Sequence, residues 1–345
     1  MHKISPVKTA KTLGAAIAMA AVFIPAASAS AALARPAAGA LSAARSDALR
    51  VLCHSRGAIP VTAIPARVDL ATCPIQGRLL VLPIPHYRTG PGLYAPRRSG
   101  ETIAAYALAT NGSYTLRVTN SRGRLFIKTA VPHISMAPVA RRTDAACSEN
   151  GMAAEGSVWN TTLNWFYNMS TVSRAGLSGS ATLSDIRDAN FNMTMGINNC
   201  GFSETGFRAY GAYQGTTGRF ANIDSAGHCT NNFPDGQNTV SWGPFSGVPW
   251  LAFTCVEQSG QTMTESDTYL GSNVGMVDNY PANCNGLHDL QSIMTHEWGH
   301  AYGLNDLLNN RYQDEVMFQG KPPCTLRRHL GLGDYNGMGL LYFPR

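Results

Sequence analysis

The stretch Gln291–Asp306, with the sequence QSIMTHEWGHAYGLND, constrains this chain more than any other. Within it, His296 and His300 are four residues apart, so on a helix both imidazoles lie on the same face. Two imidazoles on one face can bind one metal ion, and Glu297, beside the first of them, can reach a water molecule there. The pattern therefore predicts a helix that carries a metal site with a carboxylate next to it.

A third ligand is needed, because catalytic zinc sites use three protein ligands and leave one position for water. Gly303 follows His300 by three residues, and Asp306 follows Gly303 by three more. Glycine can adopt a positive φ, so Gly303 can end the helix and turn the chain back toward the metal. We predict that His296, His300 and Asp306 bind Zn²⁺ and that Glu297 is the catalytic general base.

The full pattern, H-E-x-x-H-x-x-G-x-x-D, resembles the zinc signature of the metzincin metallopeptidases, whose third ligand is usually a histidine. An aspartate at that position, here Asp306, resembles the snapalysin-like secreted members. The resemblance implies a methionine turn beneath the zinc, for which Met317 is the candidate. The segment 330–342 is similar to the last helix of matrixin-like members. The resemblance covers residues 143–345, and its strong motifs lie after Leu287.

From this resemblance we expect an α+β fold with a twisted, mostly parallel sheet, an active-site helix, a methionine turn and a C-terminal helix. The implied function is a zinc-dependent endopeptidase, in which Glu297 assists the attack of a zinc-bound water on protein or peptide substrates. The resemblance also assigns substrate binding to an edge strand at Glu265–Leu270. Tyr302, Tyr312 and a backbone N–H are all candidates for stabilising the oxyanion, and the sequence does not choose among them.

Two other functions remain open at this stage. The third ligand could be a glutamate further along the chain, and Glu315 is the only acid near a suitable position, although it follows His300 closely. The chain could also be a catalytically inactive secreted binding protein on the same fold, although it contains every residue type that the reaction requires.

Residues 1–29 are typical of an export signal. Lys3, Lys8 and Lys11 precede the apolar run Leu13–Ile24, and a small-residue cleavage site follows at residues 27–29. The run is too short to span a bilayer. We therefore expect a secreted, extracellular protein that has no membrane segment once the signal is removed.

Export gives the eight cysteines a role, because an oxidising compartment favours disulfide bonds. Cys53 and Cys73 are isolated from the others and are expected to pair. The remaining six can pair in fifteen ways that the sequence does not distinguish. Matrixins block their zinc with a cysteine flanked by proline and arginine, and neither Cys53 nor Cys73 lies in such a motif.

The charge distribution divides the chain. Residues 31–142 contain 15 Lys and Arg residues but three acidic residues, whereas residues 143–345 contain nine Lys and Arg residues and 18 acidic residues. A basic segment can bind nucleic acid or anionic membrane, but the simpler interpretation is that it covers its own acidic partner. We predict that residues 30–142 are a propeptide-like region that acts as an intramolecular inhibitor of a catalytic domain at 143–345. The alternative is a retained basic domain.

Local patterns predict several elements. A β-hairpin is expected around residues 120–123, and Arg141-Arg142 is a candidate processing point. Residues 163–167 alternate as a strand, residues 183–193 show helical spacing that ends at Cys200-Gly201, and Trp250–Val256 is the most strand-like stretch. His288-Asp289 is expected to start and cap the helix that carries His296.

Overall fold

Strands from both sides of residue 142 build the structure. The computed structural model describes residues 47–132 and 145–343, apart from residues 86, 88, 111, 171, 173–175, 279 and 281–283. The strands are β1 (Ile59–Pro60), β2 (Arg67–Asp69), β3 (Leu79–Val81), β4 (Gly92–Tyr94), β5 (Glu101–Ala109), β6 (Gly112–Ser121), β7 (Arg124–Ala130), β8 (Leu163–Asn168), β9 (Gly211–Thr216), β10 (Asn238–Gly243), β11 (Trp250–Ser259), β12 (Thr262–Gly271), β13 (Met276–Val277) and β14 (His288–Asp289). The helices are α1 (Gly179–Met195), α2 (Leu290–Ala301) and α3 (Leu332–Tyr342), and residues 47–54 are also helical. The predicted export signal and the Arg141-Arg142 processing point lie outside the described residues.

Among the described residues, nine strands form one sheet in the order β2-β7-β6-β5-β11-β12-β10-β8-β9. Strands β9, β8, β10 and β12 pair in parallel, and β11 is antiparallel to β12. The five strands of this sheet that follow residue 142 are therefore mostly parallel, as expected. The whole sheet is mixed, because β5, β6, β7 and β2 extend it beyond β11 with antiparallel pairs. The α+β class is confirmed.

The β6–β7 hairpin confirms the predicted turn. Its two central residues, Arg122 and Gly123, have φ values of 50° and 74°. Two positive φ angles define the turn type whose twist matches that of the flanking strands. The hairpin joins β6 and β7 directly, and β6 pairs in turn with β5.

The expected edge strand at Glu265–Leu270 is wrong. These residues lie within β12, which pairs with β10 on one side and with β11 on the other. The hairpin at Gly260 and Gln261 places β12 alongside β11, and β10 pairs with the other side of β12. Strand β12 therefore lies in the interior of the sheet. Strand β11 faces the N-terminal region, residues 30–142, and β5 of that region covers the outer edge of β11.

Side chains of β5 alternate between two hydrophobic clusters. Ala104, Tyr106 and Leu108 belong to the cluster that contains the buried residues of α1 and α2. Ile103 and Ala105 belong to the second cluster, which also contains residues of the small β1-β3-β4 sheet. Because successive residues of a strand point to opposite faces, β5 contributes to both cores. The described residues belong to one compact unit, Arg45–Arg345.

Helix α1 confirms the predicted helical spacing but ends earlier than expected. Its N-cap Ser178 accepts a hydrogen bond from the Ala181 N–H at 3.2 Å. The helix stops at Met195, because Gly196 adopts a left-handed conformation with φ 71°. The predicted end at Cys200-Gly201 therefore lies in the following turn.

All eight cysteines form disulfide bonds, and they pair within the two groups that the sequence separates. The expected Cys53–Cys73 bond is confirmed. The later bonds are Cys147–Cys200, Cys229–Cys255 and Cys284–Cys324.

Within the part of the chain that the structure describes, no helix is long and apolar enough to cross a membrane.

Candidate metal centre

Helix α2 carries the two histidines, and its N-terminus is fixed by a capping aspartate. The Asp289 side chain accepts a hydrogen bond from the Ser292 N–H at 2.9 Å, as an N-cap does. Arg328 Nε donates to the same carboxylate at 2.8 Å. The prediction that His288-Asp289 starts this helix is confirmed. All twelve residues of α2 are buried, so its position relative to the sheet is set by packing on every side.

His296, His300 and Asp306 form a buried triangle of ligand atoms. The two Nε2 atoms are 3.1 Å apart, and Asp306 Oδ1 lies 3.3 Å from His296 Nε2 and 3.6 Å from His300 Nε2. Tetrahedral zinc with bonds of about 2.0–2.1 Å separates its ligand atoms by about 3.3 Å. Among the described residues this is the group of three that could hold a metal ion. The donor set and its spacing therefore fit a tetrahedrally coordinated metal ion.

Backbone carbonyls orient both imidazoles. His296 Nδ1 donates to the Val316 carbonyl at 2.9 Å, and His300 Nδ1 donates to the Leu304 carbonyl at 2.9 Å. With the proton held on Nδ1, each Nε2 presents its lone pair to the centre of the triangle. This second layer of hydrogen bonds is the arrangement that fixes the tautomer of metal-binding histidines.

Gly303 brings Asp306 back to the histidines. Its φ is 94°, a conformation that L side chains rarely adopt. A Cβ at this position would also come within 2.6 Å of the Ser157 carbonyl oxygen. Both the turn and the close approach therefore require glycine, and the role predicted for Gly303 from its spacing is confirmed.

Burial sets the charge state of the triangle. It lowers the pKa of His296 to about 3 and also lowers the pKa of His300, so both rings are neutral. Burial opposes the charge on Asp306, but polar contacts within the site outweigh it and hold the pKa of this carboxyl below the ordinary value. Two neutral imidazoles and one carboxylate are the protonation states that a metal ion requires.

Glu297 lies beside the triangle with one oxygen free. Its Oε2 accepts a hydrogen bond from Thr254 Oγ1 at 2.5 Å. Its Oε1 is buried and has no hydrogen-bond partner among the residues that the structure describes. Burial raises the pKa of Glu297 to about 8. A carboxyl group with a pKa near neutrality and a free oxygen can exchange a proton with a bound water or substrate.

Met317, the methionine-turn candidate, lies against α2. Its side chain is 2% exposed, and its sulfur would lie 2.2 Å from a Cβ built on Gly299. The turn that contains Met317 is fixed by Asp334, whose carboxylate accepts the N–H groups of Val316 and Met317 at 2.6 and 3.0 Å. The turn thus connects α2 to the start of α3.

The alternative third ligand, Glu315, is used elsewhere. Its carboxylate accepts the N–H groups of Gly333 and Asp334 at 2.9 and 3.1 Å, at the N-terminus of α3.

The oxyanion candidate Tyr302 is fully buried, and its hydroxyl accepts from Asn190 Nδ2 at 3.0 Å. Tyr312 lies against Arg311, whose guanidinium carbon is 4.4 Å from its ring.

The N-terminal region contacts the triangle directly. The ring of Tyr106, on β5, stacks on His300 with centroids 4.0 Å apart, and its hydroxyl donates to Asn305 Oδ1 at 3.0 Å. Thr115 Oγ1, on β6, donates to Asp306 Oδ2 at 3.1 Å. His296 and His300 are 0% and 1% exposed, so the triangle is closed to solvent while these strands are in place.

Sequence reasoning missed the residues that support the triangle. Thr254 lies in the apolar strand β11, where a buried hydroxyl in an otherwise hydrophobic run was the available signal. Tyr106 and Thr115 have no local signal, because their role depends on strand pairing across about half of the chain. Lys321, also unpredicted, is buried beside the methionine turn.

The chain matches no model of a known protein family and no curated protein.

Proposed function

We propose that this protein is an exported, zinc-dependent endopeptidase of metzincin type, held inactive by its own N-terminal region. The observation that carries the proposal is the buried triangle of His296, His300 and Asp306 with the free Oε1 of Glu297 beside it. Three ligands of this chemistry, with a general base next to them, are the minimum that zinc-dependent hydrolysis needs.

The reaction would be hydrolysis of a peptide bond. Zinc, when bound, would supply Lewis acidity that polarises the peptide carbonyl. Glu297 accepts a proton from the attacking water through Oε1, while Thr254 holds Oε2. Hydroxide adds to the carbonyl carbon, the C–N bond breaks, and Glu297 returns the proton to the leaving nitrogen. In the covered site, burial raises the pKa of Glu297 to about 8, so this carboxyl can carry a proton near neutral pH.

Strand β5 supports the inhibitory role of the N-terminal region. It runs antiparallel to β11, and Tyr106 pairs with Thr254, the residue that holds Glu297. An extended peptide bound at the edge of β11 would use the same main-chain groups. While β5 is in place, a substrate strand has no access to this edge.

Charge complementarity supports the docking. Arg117 of β6 forms an ion pair with the buried Glu155 and donates to Gln258 Oε1 at 2.7 Å. Arg98 lies 3.2 Å from Glu257 on β11. Both pairs join a basic residue of the N-terminal region to an acid of the later part of the chain. The exposed Arg98 contributes little, whereas the Arg117 pair is largely desolvated.

The broader architecture and the disulfides also fit the proposal. Parallel strands β8, β9, β10 and β12, the helix with the two histidines, the methionine turn and helix α3 follow in the order that the metzincin resemblance implies. Four disulfide bonds suit an oxidising compartment. Neither nucleic acid nor a membrane is required as a partner.

The test uses the full exported chain with a specific protease site inserted after Arg142. We expect no hydrolysis of casein before cleavage, hydrolysis after cleavage, and loss of that hydrolysis with a zinc chelator. Glu297→Gln should bind zinc normally but lower the rate by about 10²-fold or more. Asp306→Ala should lose zinc and activity, whereas Glu315→Ala should keep zinc if it folds.

Each contrary result has a distinct meaning. Zinc binding without activity after cleavage would favour the inactive binding protein. Full activity before cleavage would remove the inhibitory role of the N-terminal region. Failure of the wild-type chain to bind zinc would overturn the proposal as a whole.

A further inference from the structure

Lys321 is a lysine buried next to the candidate metal centre. Lys321 is 3% exposed to solvent. Its Nζ donates to two backbone carbonyls of the methionine turn, those of Val316 and, at 3.1 Å, Phe318. Among the described residues, no carboxylate oxygen lies within 4.0 Å of this nitrogen. The amine is thus held by carbonyl groups alone.

One of these carbonyls connects Lys321 to a predicted zinc ligand. The Val316 carbonyl also accepts the hydrogen bond from His296 Nδ1 at 2.9 Å. On the other side of the same residue, the Val316 N–H donates to Asp334 Oδ2 at 2.6 Å. Asp334 therefore holds the N–H of Val316, and Lys321 holds its carbonyl. The carbonyl fixed in this way orients His296.

Burying the amine of Lys321 beneath the methionine turn is energetically unfavourable. Removing a cationic group from water without a carboxylate partner costs several kcal/mol, and an apolar side chain of similar volume would cost less. Burial accordingly lowers the pKa of Lys321 well below its ordinary value. A requirement for a hydrogen-bond donor at the Val316 carbonyl explains why this position holds a lysine.

We propose that Lys321 is a positioning residue for the metal centre, which fixes the Val316 carbonyl and thereby the orientation and tautomer of His296. The inference rests on the proposed zinc site and deepens it. Loss of such an outer hydrogen bond weakens metal binding by about 10- to 100-fold in zinc proteins. Lys321 does not touch the reacting atoms and acts only through the Val316 carbonyl.

Arg327 provides a matched control from the same segment. It is also a buried basic residue, 8% exposed, and its Nη1 donates to the Gly320 carbonyl at 2.6 Å. Its guanidinium carbon lies 5.4 Å from the Phe318 ring. Replacing Arg327 removes a buried basic group from this segment but leaves in place the hydrogen bonds that Lys321 and His296 make to the Val316 carbonyl.

The experiment measures Zn²⁺ affinity by competition with a chelator, in the full chain, for the wild type, Lys321→Met, Lys321→Gln and Arg327→Met. We expect Lys321→Met to bind zinc about 10- to 100-fold more weakly. Lys321→Gln, which retains a donor, should recover part of that loss. Arg327→Met should lose stability in urea but bind zinc like the wild type. Replacement of zinc by Co²⁺ should give an altered visible spectrum for Lys321→Met alone.

Four outcomes would overturn the inference. Wild-type zinc affinity in Lys321→Met would show that the amine does not position His296, while leaving the zinc site intact. An equal loss in Arg327→Met would assign the effect to general destabilisation. Failure of both Lys321 variants to fold would assign the amine to the fold rather than to the ligand. Absence of zinc binding in the wild type would remove the proposed function and this inference together.

Discussion

Thr115 donates a hydrogen bond to Asp306 Oδ2 at 3.1 Å, so a residue of the basic N-terminal region supports a candidate zinc ligand. The Asp306 side chain is 2% exposed, and water cannot replace this donor while the strands are docked. The region that closes the site therefore also helps to orient one of its ligands.

Thr115→Val removes this donor with little change in shape. Because Asp306 Oδ2 then loses its side-chain partner in a buried site, we expect zinc affinity of the full chain to fall roughly tenfold. Thr119→Val is the control, since Thr119 lies on the same strand and its hydroxyl pairs with Thr102 at 2.9 Å. Equal zinc affinities for the two variants in a chelator competition would contradict this role for Thr115.

The ion pair between Arg117 and Glu155 tests the electrostatic docking. Arg117→Met leaves the Glu155 carboxyl, 1% exposed, without its cation. Burial raises the pKa of Glu155 to about 8, so this carboxyl takes up a proton when its cation is removed. We expect the free energy of unfolding in urea to fall by about 1–3 kcal/mol, because a buried polar group loses its partner. Hydrogen exchange of the β5 and β6 amides should also become faster.

Arg124→Met is the control for that variant. Arg124 is exposed on the neighbouring strand β7 and carries the same charge. Its replacement should change stability by less than about 0.5 kcal/mol. If the two arginine variants lose the same stability, net charge rather than the specific pair stabilises the docked region.

The candidate site was predictable from sequence where its geometry is local. His296 and His300 meet because residues four apart share a helix face, and Asp306 returns to them because Gly303 permits the turn. The β6–β7 hairpin was predictable for the same reason, since its turn residues determine its conformation. In each case a few neighbouring residues carry all of the information.

Pairing between distant strands was not predictable in this way. The alternation in Glu265–Leu270 indicates a strand but does not distinguish an edge from the interior, and β12 lies in the interior. The pairing of Tyr106 with Thr254 joins segments about 150 residues apart, and no local pattern encodes it. Lys321 belongs to the sequence Gly-Lys-Pro-Pro, which is typical of an exposed loop, and its burial depends on the tertiary fold.

Asp185 should make the stability of the protein depend on pH. It is 7% exposed on α1, and burial raises its pKa to about 7. Between the ordinary pKa of an aspartate, about 4, and this value, the folded state binds more protons than the unfolded state. Stability from this group is therefore present at low pH and is lost as the pH rises from about 4 to about 7.

Asp185→Asn removes that dependence while keeping the shape of the side chain. We expect the variant to match the wild type at about pH 4 and to exceed it by about 1–2 kcal/mol at pH 8, in urea unfolding at each pH. Ser180→Ala, an exposed change on the same helix that involves no titratable group, should give the same difference from the wild type at both pH values. A wild-type advantage over Asp185→Asn that grows with pH would reverse the sign of this argument.

Gly299→Ala tests the packing of the methionine turn beneath α2. Alanine is favoured over glycine in a helix by about 1 kcal/mol, but a Cβ on Gly299 would lie 2.2 Å from the Met317 sulfur. We expect the overlap to prevail, so that unfolding in urea is easier by about 1–3 kcal/mol. Gly339→Ala on α3, where the nearest atom would be 3.8 Å away, should instead stabilise the chain.

The pair Gly299 and Met317 should also be energetically coupled. Met317→Ala alone leaves a cavity, whereas in the presence of Gly299→Ala part of that space is filled by the new methyl group. The double variant should therefore lose less stability than the sum of the two single variants, by about 1 kcal/mol or more. Strict additivity in this cycle would place Met317 out of contact with the helix that carries His296 and His300.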